Sequence, residues 1–252
     1  MHARAADDHR DAAIHAVAAD RYDRAGDRYT LTAYELLSGH GGSHAAFDPE
    51  GGTALGAPLC SLALASVCYR LAGTPDRARA RAQSGLALAT EHRDHVLTAR
   101  EERAACAEFA GDFHHLLGDR ERATGAYDRA GEGYEAADLG NPAGFTAQGL
   151  LEPGTRFLVH LSRPDDLTWD EIHGSDPERA LSTRLRFKSA RLASLLAARF
   201  DAGVLMTPRG STEYGTDRFD CPACGSSDVN YVAGAVFCLR CDTPVRDGPR
   251  QG

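Results

Sequence analysis

Four cysteines near the end of the chain carry the most definite chemistry in it: Cys221-Pro-Ala-Cys224, thirteen residues, then Cys238-Leu-Arg-Cys241. A Cys-x-x-Cys pair wraps one tight turn around a metal ion, and two such pairs complete a tetrahedral sulfur shell. Zinc accepts four thiolates in that geometry without preference of its own. Tetrahedral sulfur also suits iron, which stays open as the other metal. A four-thiolate shell leaves no position for water or substrate, so the expectation is one structural Zn2+ per chain. A redox Cys-x-x-Cys needs only one pair, beside a βαβ unit that the text does not contain. Two disulfides would need an oxidising compartment, and the start Met1-His-Ala-Arg-Ala-Ala-Asp-Asp lacks the apolar core of a secretory leader.

The elements that must hold these sulfurs are short. Gly225 follows the first pair, where a knuckle needs a residue tolerant of positive φ. Val229–Val232 and Ala235–Phe237 read as two strands turned at Ala233-Gly234, with Thr243-Pro-Val-Arg246 as a third. A hairpin with a knuckle at each end resembles the zinc-ribbon family with its rubredoxin-type knuckles, over residues 219–246. So small a segment buries too little apolar surface to fold alone, and metal binding supplies the difference.

Other residues offer weaker chemistry. Ser175-Asp-Pro-Glu178 is a capping box that opens a helix over 176–201. Leu181, Leu185, Leu192 and Leu196 share one face of it. Arg184, Lys188 and Arg191 form a second line, in a stretch with six basic residues and no acid from Arg179 to Phe200. That line is a candidate contact for nucleic acid or an acidic partner; its blander reading is a solvated edge of a packed helix that counters acidic neighbours. His92 and His95, with Asp112, His114 and His115, have spacings found in helix-bundle metal sites, although the carboxylate set is incomplete. Surface or helix-end histidine is the simpler account. His40-Gly-Gly-Ser-His44 would have to be ordered to bind a metal. No phosphate-binding glycine loop and no nucleophile elbow is present.

Residues 8–138 read as helices, near 9–25, 28–38, 57–72, 75–90, 97–117 and 119–137, with a Gly- and Pro-rich loop over 40–58. Gly111, Gly118, Ala123, Tyr127 and Ala130 place small, aromatic and small residues on one face across a helix pair. A second set is Leu62, Ser66, Tyr69, Gly73, Ala78, Ala82 and Gly85, and a partial third is Ala19, Tyr22 and Gly26. These positions resemble the tetratricopeptide repeat. The fold class expected is mainly α: an antiparallel, tetratricopeptide-like helix-pair array or a bundle, with a small C-terminal β ribbon. Residues 139–206 are expected to be a linker plus the basic helix, packed on the helical domain, with a capping box at Thr168-Trp-Asp-Glu171. Residues 207–219 read as a flexible join to the ribbon.

The chain has 252 residues and a net charge of −8. Residues 1–138 hold 15 basic and 22 acidic side chains, which argues against nucleic acid docking there. Lys188 is the only lysine among 28 basic residues; this Arg- and Asp-rich text is similar in composition to proteins of salt-adapted archaea. No apolar run reaches membrane-spanning length, and Cys60, Cys68 and Cys106 read as small buried hydrophobes. These readings converge on a cytoplasmic, non-enzymatic interaction or adaptor protein that binds a protein partner. The alternative is a nucleic-acid-binding regulator that uses the ribbon and helix 179–200, and the least favoured is a helix-bundle metalloenzyme.

Overall fold

The computed structural model describes residues 3–38, 54–165 and 167–246; His40–His44 and most of the expected 40–58 loop lie outside them. Six long helices come first: α1 (Ala3–Ala18), α2 (Tyr22–Leu37), α3 (Gly56–Leu71), α4 (Pro75–Glu91), α5 (Arg100–Leu116) and α6 (Arg120–Ala137). A π-helical turn, His92–Val96, joins α4 to α5. Each helix packs chiefly on its neighbours in sequence. Among the described residues, no helix is long and apolar enough to cross a membrane.

Three of the inter-helix turns share one geometry. Asp20, Gly73 and Gly118 all have positive φ. In each turn the next amide reaches back five residues: Arg21 N–H to the Ala16 carbonyl, Thr74 to Tyr69, and Asp119 to His114, at 2.8–2.9 Å. The positive-φ residue's own amide closes on the carbonyl three residues back, and the two bonds satisfy carbonyls that a helix end otherwise leaves open. Helices α1/α2, α3/α4 and α5/α6 are therefore joined by equivalent turns.

The first of these turns lies at Asp20, not at Gly26 as the glycine text predicted. Gly26 sits inside α2, where a Cβ would fall 2.7 Å from the Tyr69 ring of α3. Its role is close approach, and the same holds for Gly111 against Tyr127, as the small–aromatic pattern anticipated. A glycine in helical text can end a helix or admit a neighbour, and only packing distinguishes the two.

Helix α3 is buried almost all round, from Pro58 to Tyr69, which matches its apolar text and its place between α2 and α4 and against residues 152–162. Burial pushes the Cys60 and Cys106 thiols up to about 12 and Cys68 further in the same direction, so these three are uncharged packing groups.

The expected linker is more structured than its prolines suggested. Pro142 and Pro153 lie in the first turns of α7 (Pro142–Thr146) and α8 (Glu152–Ser162). Proline is well placed there, because the missing N–H has no partner in a first turn. Asn141 caps α7 by accepting the Gly144 amide. The Thr168/Glu171 capping box forms as read and opens α9 (Trp169–His173). The Asp176–Glu178 text begins with a 3-10 turn and continues as α10 (Ala180–Ala202), which packs on α5, α6, α8 and α9. One hydrophobic core runs from Ala13 to Leu205.

A three-stranded antiparallel sheet closes the described chain in the order β1 (Ser211–Glu213), β2 (Val229–Val232), β3 (Ala235–Cys238). The hairpin turn is Ala233-Gly234, both at positive φ, as a two-residue turn between twisted strands requires. The third strand is Ser211–Glu213, not Thr243–Arg246; the latter contributes a single bridge, Phe237 to Pro244. Proline has no amide to donate to a ladder. Phe219, Cys221, Val229, Cys238 and Val245 form a second, small core under the sheet.

Candidate metal centre and its attachment to the helical body

The four expected cysteines converge. Cys221 and Cys241 sulfurs lie 3.5 Å apart, as do Cys224 and Cys238, and Cys224 and Cys241. All four lie within 4.8 Å of one another, and they form the only grouping of three or more candidate metal ligands among the described residues. A disulfide would bring two sulfurs to about 2.05 Å, and all seven cysteines are free. Four thiolates about 2.3 Å from a zinc ion would sit about 3.8 Å apart, so the donor set fits one tetrahedral ion. Burial opposes ionisation of Cys221, but the Cys224 and Ala223 amides and the neighbouring thiols outweigh it and bring this thiol down to about 7. Burial acts the other way on Cys238 and pushes it up to about 12, so a bound cation would have to draw off that proton.

The two knuckles are built alike. The Gly225 amide closes on the Cys221 carbonyl at 2.9 Å, and the Asp242 amide on the Cys238 carbonyl at 3.0 Å. Gly225 and Asp242 hold equivalent places with φ of 71° and 62°. In each knuckle the first cysteine is buried and the second exposed.

Asp242 also ties the second knuckle to the helices. Its carboxylate accepts the Thr207 amide and hydroxyl, each at 2.5 Å. Arg163, at the end of α8, is fully buried and sits 3.8 Å from the same carboxylate. It donates to the Thr207 carbonyl at 2.5 Å and to the Leu239 carbonyl, between the two cysteines of this knuckle, at 2.8 Å. The segment between α10 and β1 is held along its length. The Leu205 amide donates to the Tyr22 hydroxyl, and His160 Nε2 meets the Met206 carbonyl at 2.6 Å. Asn230 of β2 donates to the Pro208 carbonyl. His15 of α1 reaches the Ala233 carbonyl in the hairpin turn at 2.9 Å and lies against the Phe237 ring. Of the join expected to be flexible, Thr207 is buried and tied to Asp242, Pro208 and Gly210 are held by Asn230, and Ser211–Glu213 form β1.

The basic stripe on α10 is placed differently from its surface reading. Arg184 and Lys188 are fully buried; of the three candidates only Arg191 is exposed. Arg184 donates to Glu108 at 2.7 Å and to the Leu151 carbonyl at 3.1 Å, and also to the Thr155 hydroxyl. Lys188 bridges Glu108 and Asp112, both at 2.6 Å. Tyr127 and Tyr134 hydroxyls complete the two carboxylates at 2.8 and 3.0 Å. Two cations thus meet two acids in a closed network. Burial opposes the Glu108 charge, yet Arg184 and Lys188 hold its carboxyl down at about 2, whereas burial raises Asp112. His173 Nε2 faces an Arg184 nitrogen at 3.2 Å, which can only donate, so Nδ1 carries the proton toward the Trp169 carbonyl. Removal of one member of such a network leaves a buried charge unpaired, at a cost of about 3–5 kcal/mol.

The histidine candidates are not brought together. His92 is buried with Nδ1 at the Leu88 carbonyl, His95 is exposed beside Glu91, and Asp112 is engaged by Lys188 and Tyr127. His114 and His115 lie at the end of α5, His115 against the Tyr127 ring. Comparison of the chain with protein-family models, with curated proteins and with solved structures found no match.

Proposed function

We propose that the chain is a non-enzymatic interaction protein: a helical body that binds a protein partner, with a structural zinc ribbon fixed to its side. The observation that carries this reading is the Arg163 clasp. A buried guanidinium joins α8, the seam at Thr207 and the backbone of the second knuckle. The ribbon is thereby a stiff extension of the helical surface. When zinc is bound, it supplies folding energy to a segment with a five-residue core. Cys221, Cys224, Cys238 and Cys241 would hold it, and four thiolates fill its shell, which suits a structural ion and not a catalytic one.

The helical body is read as tetratricopeptide-like pairs. Support comes from the three equivalent turns at Asp20, Gly73 and Gly118, and from the small-to-aromatic contacts of Gly26 with Tyr69 and Gly111 with Tyr127. Free thiols fit a reducing cytoplasm. The nucleic-acid reading loses Arg184 and Lys188, which are consumed inside the protein. The test is recovery of the tagged, full-length chain from native lysate under conditions that retain its metal. A stoichiometric protein partner, lost when the metal is chelated, is the expected result. Recovery of nucleic acid in place of protein, or of no stoichiometric partner, counts against the reading.

A further inference from the structure

Helices α2 and α4 line an open groove of about 660 Å³ whose charge runs against that of the molecule. Arg24 and Arg28 sit one helical turn apart on α2; Arg77 and Arg81 do the same on α4. All four line the same cavity, and one carboxylate, Asp27, lines it with them. A surplus of three positive charges is therefore gathered on a chain of net charge −8.

The four guanidinia are not equally committed. Arg77 lies over the Tyr69 ring at 4.1 Å, donates to the Tyr69 hydroxyl at 2.8 Å, and pairs with Asp27. Arg81 donates to the Tyr34 hydroxyl at 2.5 Å and stands over that ring. These contacts hold the α4 pair in set orientations. On α2, Arg28 touches only a His9 ring nitrogen at 3.1 Å, and Arg24 makes no hydrogen bond among the described residues. The Arg24 fork, and the part of the Arg28 fork that His9 leaves open, thus line the cavity, and a guanidinium fork matches a carboxylate in two parallel bonds. Leu31 and Tyr34 continue the same α2 face and are 41% and 45% exposed. Large apolar side chains left open beside a cation cluster form the anchor for an apolar residue next to acidic ones.

We infer that the α2/α4 groove binds an acidic peptide segment of a protein partner, its carboxylates on Arg24 and Arg28 and an adjoining apolar side chain on Leu31 and Tyr34. This deepens the interaction reading and rests on it. Charge distribution favours a short peptide over nucleic acid. Residues 1–138 carry 22 acidic against 15 basic side chains, and the exposed Asp23 lies close enough to Arg77 to act on its charge. A long polyanion would have to run from the groove across that acidic surface, whereas a short segment stays within it.

The test is fluorescence anisotropy with the zinc-loaded, full-length protein and a labelled peptide of sequence Glu-Glu-Asp-Leu-Glu-Asp. Binding at low salt that weakens as salt rises is expected. The double variant Arg24→Glu/Arg28→Glu, at one exposed and one half-buried position, should lower affinity by at least about tenfold with an unchanged helical spectrum. Replacement of the peptide leucine by serine should weaken binding several-fold. Absence of binding at low salt overturns the inference, as does equal binding by the double variant. Tighter binding of single-stranded DNA of matching charge also overturns it and assigns the groove to nucleic acid. A natural partner captured equally by the parent and the double variant removes the groove but leaves the interaction reading in place.

Discussion

Gly225 and Asp242 occupy the same place in two equivalent turns, four residues after Cys221 and Cys238, at φ of 71° and 62°. The first position has nothing within 4 Å of where a Cβ would stand, and glycine meets the backbone demand without cost. At the second, an aspartate takes the left-handed conformation at a cost of roughly 1 kcal/mol. What it gains is visible in its partners: Thr207 amide, Thr207 hydroxyl and the Arg163 guanidinium. The first knuckle supplies two thiolates to the candidate metal centre. The second supplies two and grips the helical body as well. A residue that breaks a local backbone rule is thus a pointer to a contact made elsewhere.

Metal loss should erase the comparison altogether. Chelation under reducing conditions removes the ribbon's folding energy, of order 10 kcal/mol in small zinc modules. Amides of β2 and β3 should then exchange freely with deuterium, while α3 and α5 stay protected. Loss of α3 protection in the same step would mean that the body depends on the ribbon.

The clasp separates the knuckles. Arg163→Met leaves the Asp242 carboxylate without its buried cation, at a cost of about 3 kcal/mol or more. Hydrogen exchange should rise at 204–208 and 238–242 and stay unchanged at 221–225. Equal loosening of both knuckles would contradict the asymmetry.

Acid should act on the same seam. Burial holds His160 down at about 4: its Nε2–H donates to the Met206 carbonyl, and protonation of the second nitrogen would place a charge in that buried site. The unfolded histidine titrates near 6.5, so the folded value is depressed. Stability is then complete above about pH 6.5 and is lost as pH falls toward about 4, by roughly 3 kcal/mol. His173 is depressed to about 4 by burial and adds to the loss in the same window. Denaturant melts of His160→Gln should show a shallower slope across it; an unchanged slope removes His160 from the seam.

The smallest effects come from exchange of the two residues. Gly225→Asp should cost about 1 kcal/mol through backbone alone. Asp242→Gly relieves a similar strain but forfeits two hydrogen bonds and leaves the buried Arg163 without its carboxylate, for a net loss of about 2 kcal/mol or more. Metal affinity should survive both, read by competition with a chromogenic chelator. Loss of seam protection in Gly225→Asp, or its retention in Asp242→Gly, would undo the assignment of roles.

The cysteines and the β2–β3 hairpin were legible because ligand spacing and two-residue turn chemistry are local. The clasp was not, since Arg163, Thr207 and Asp242 are far apart in sequence and ordinary in type. The Arg184/Lys188 stripe misled because a period of four looks the same on a wet face and a buried one. The usable signal lay in α5, where Glu108 and Asp112 repeat that spacing within Ala-Cys-Ala-Glu-Phe-Ala-Gly-Asp-Phe. Two acids in apolar text need two buried cations, and α10 supplies them in the same order. Prolines 142 and 153 read as breaks but stand where helices begin.

Metal content and thiol reactivity, measured together on the protein as purified, address the central claim most directly. One zinc per chain is predicted, with Cys221, Cys224, Cys238 and Cys241 resisting alkylation until a chelator is added. A metal-free chain whose ribbon is fully folded, or one in which these four thiols are joined as disulfides, would contradict it.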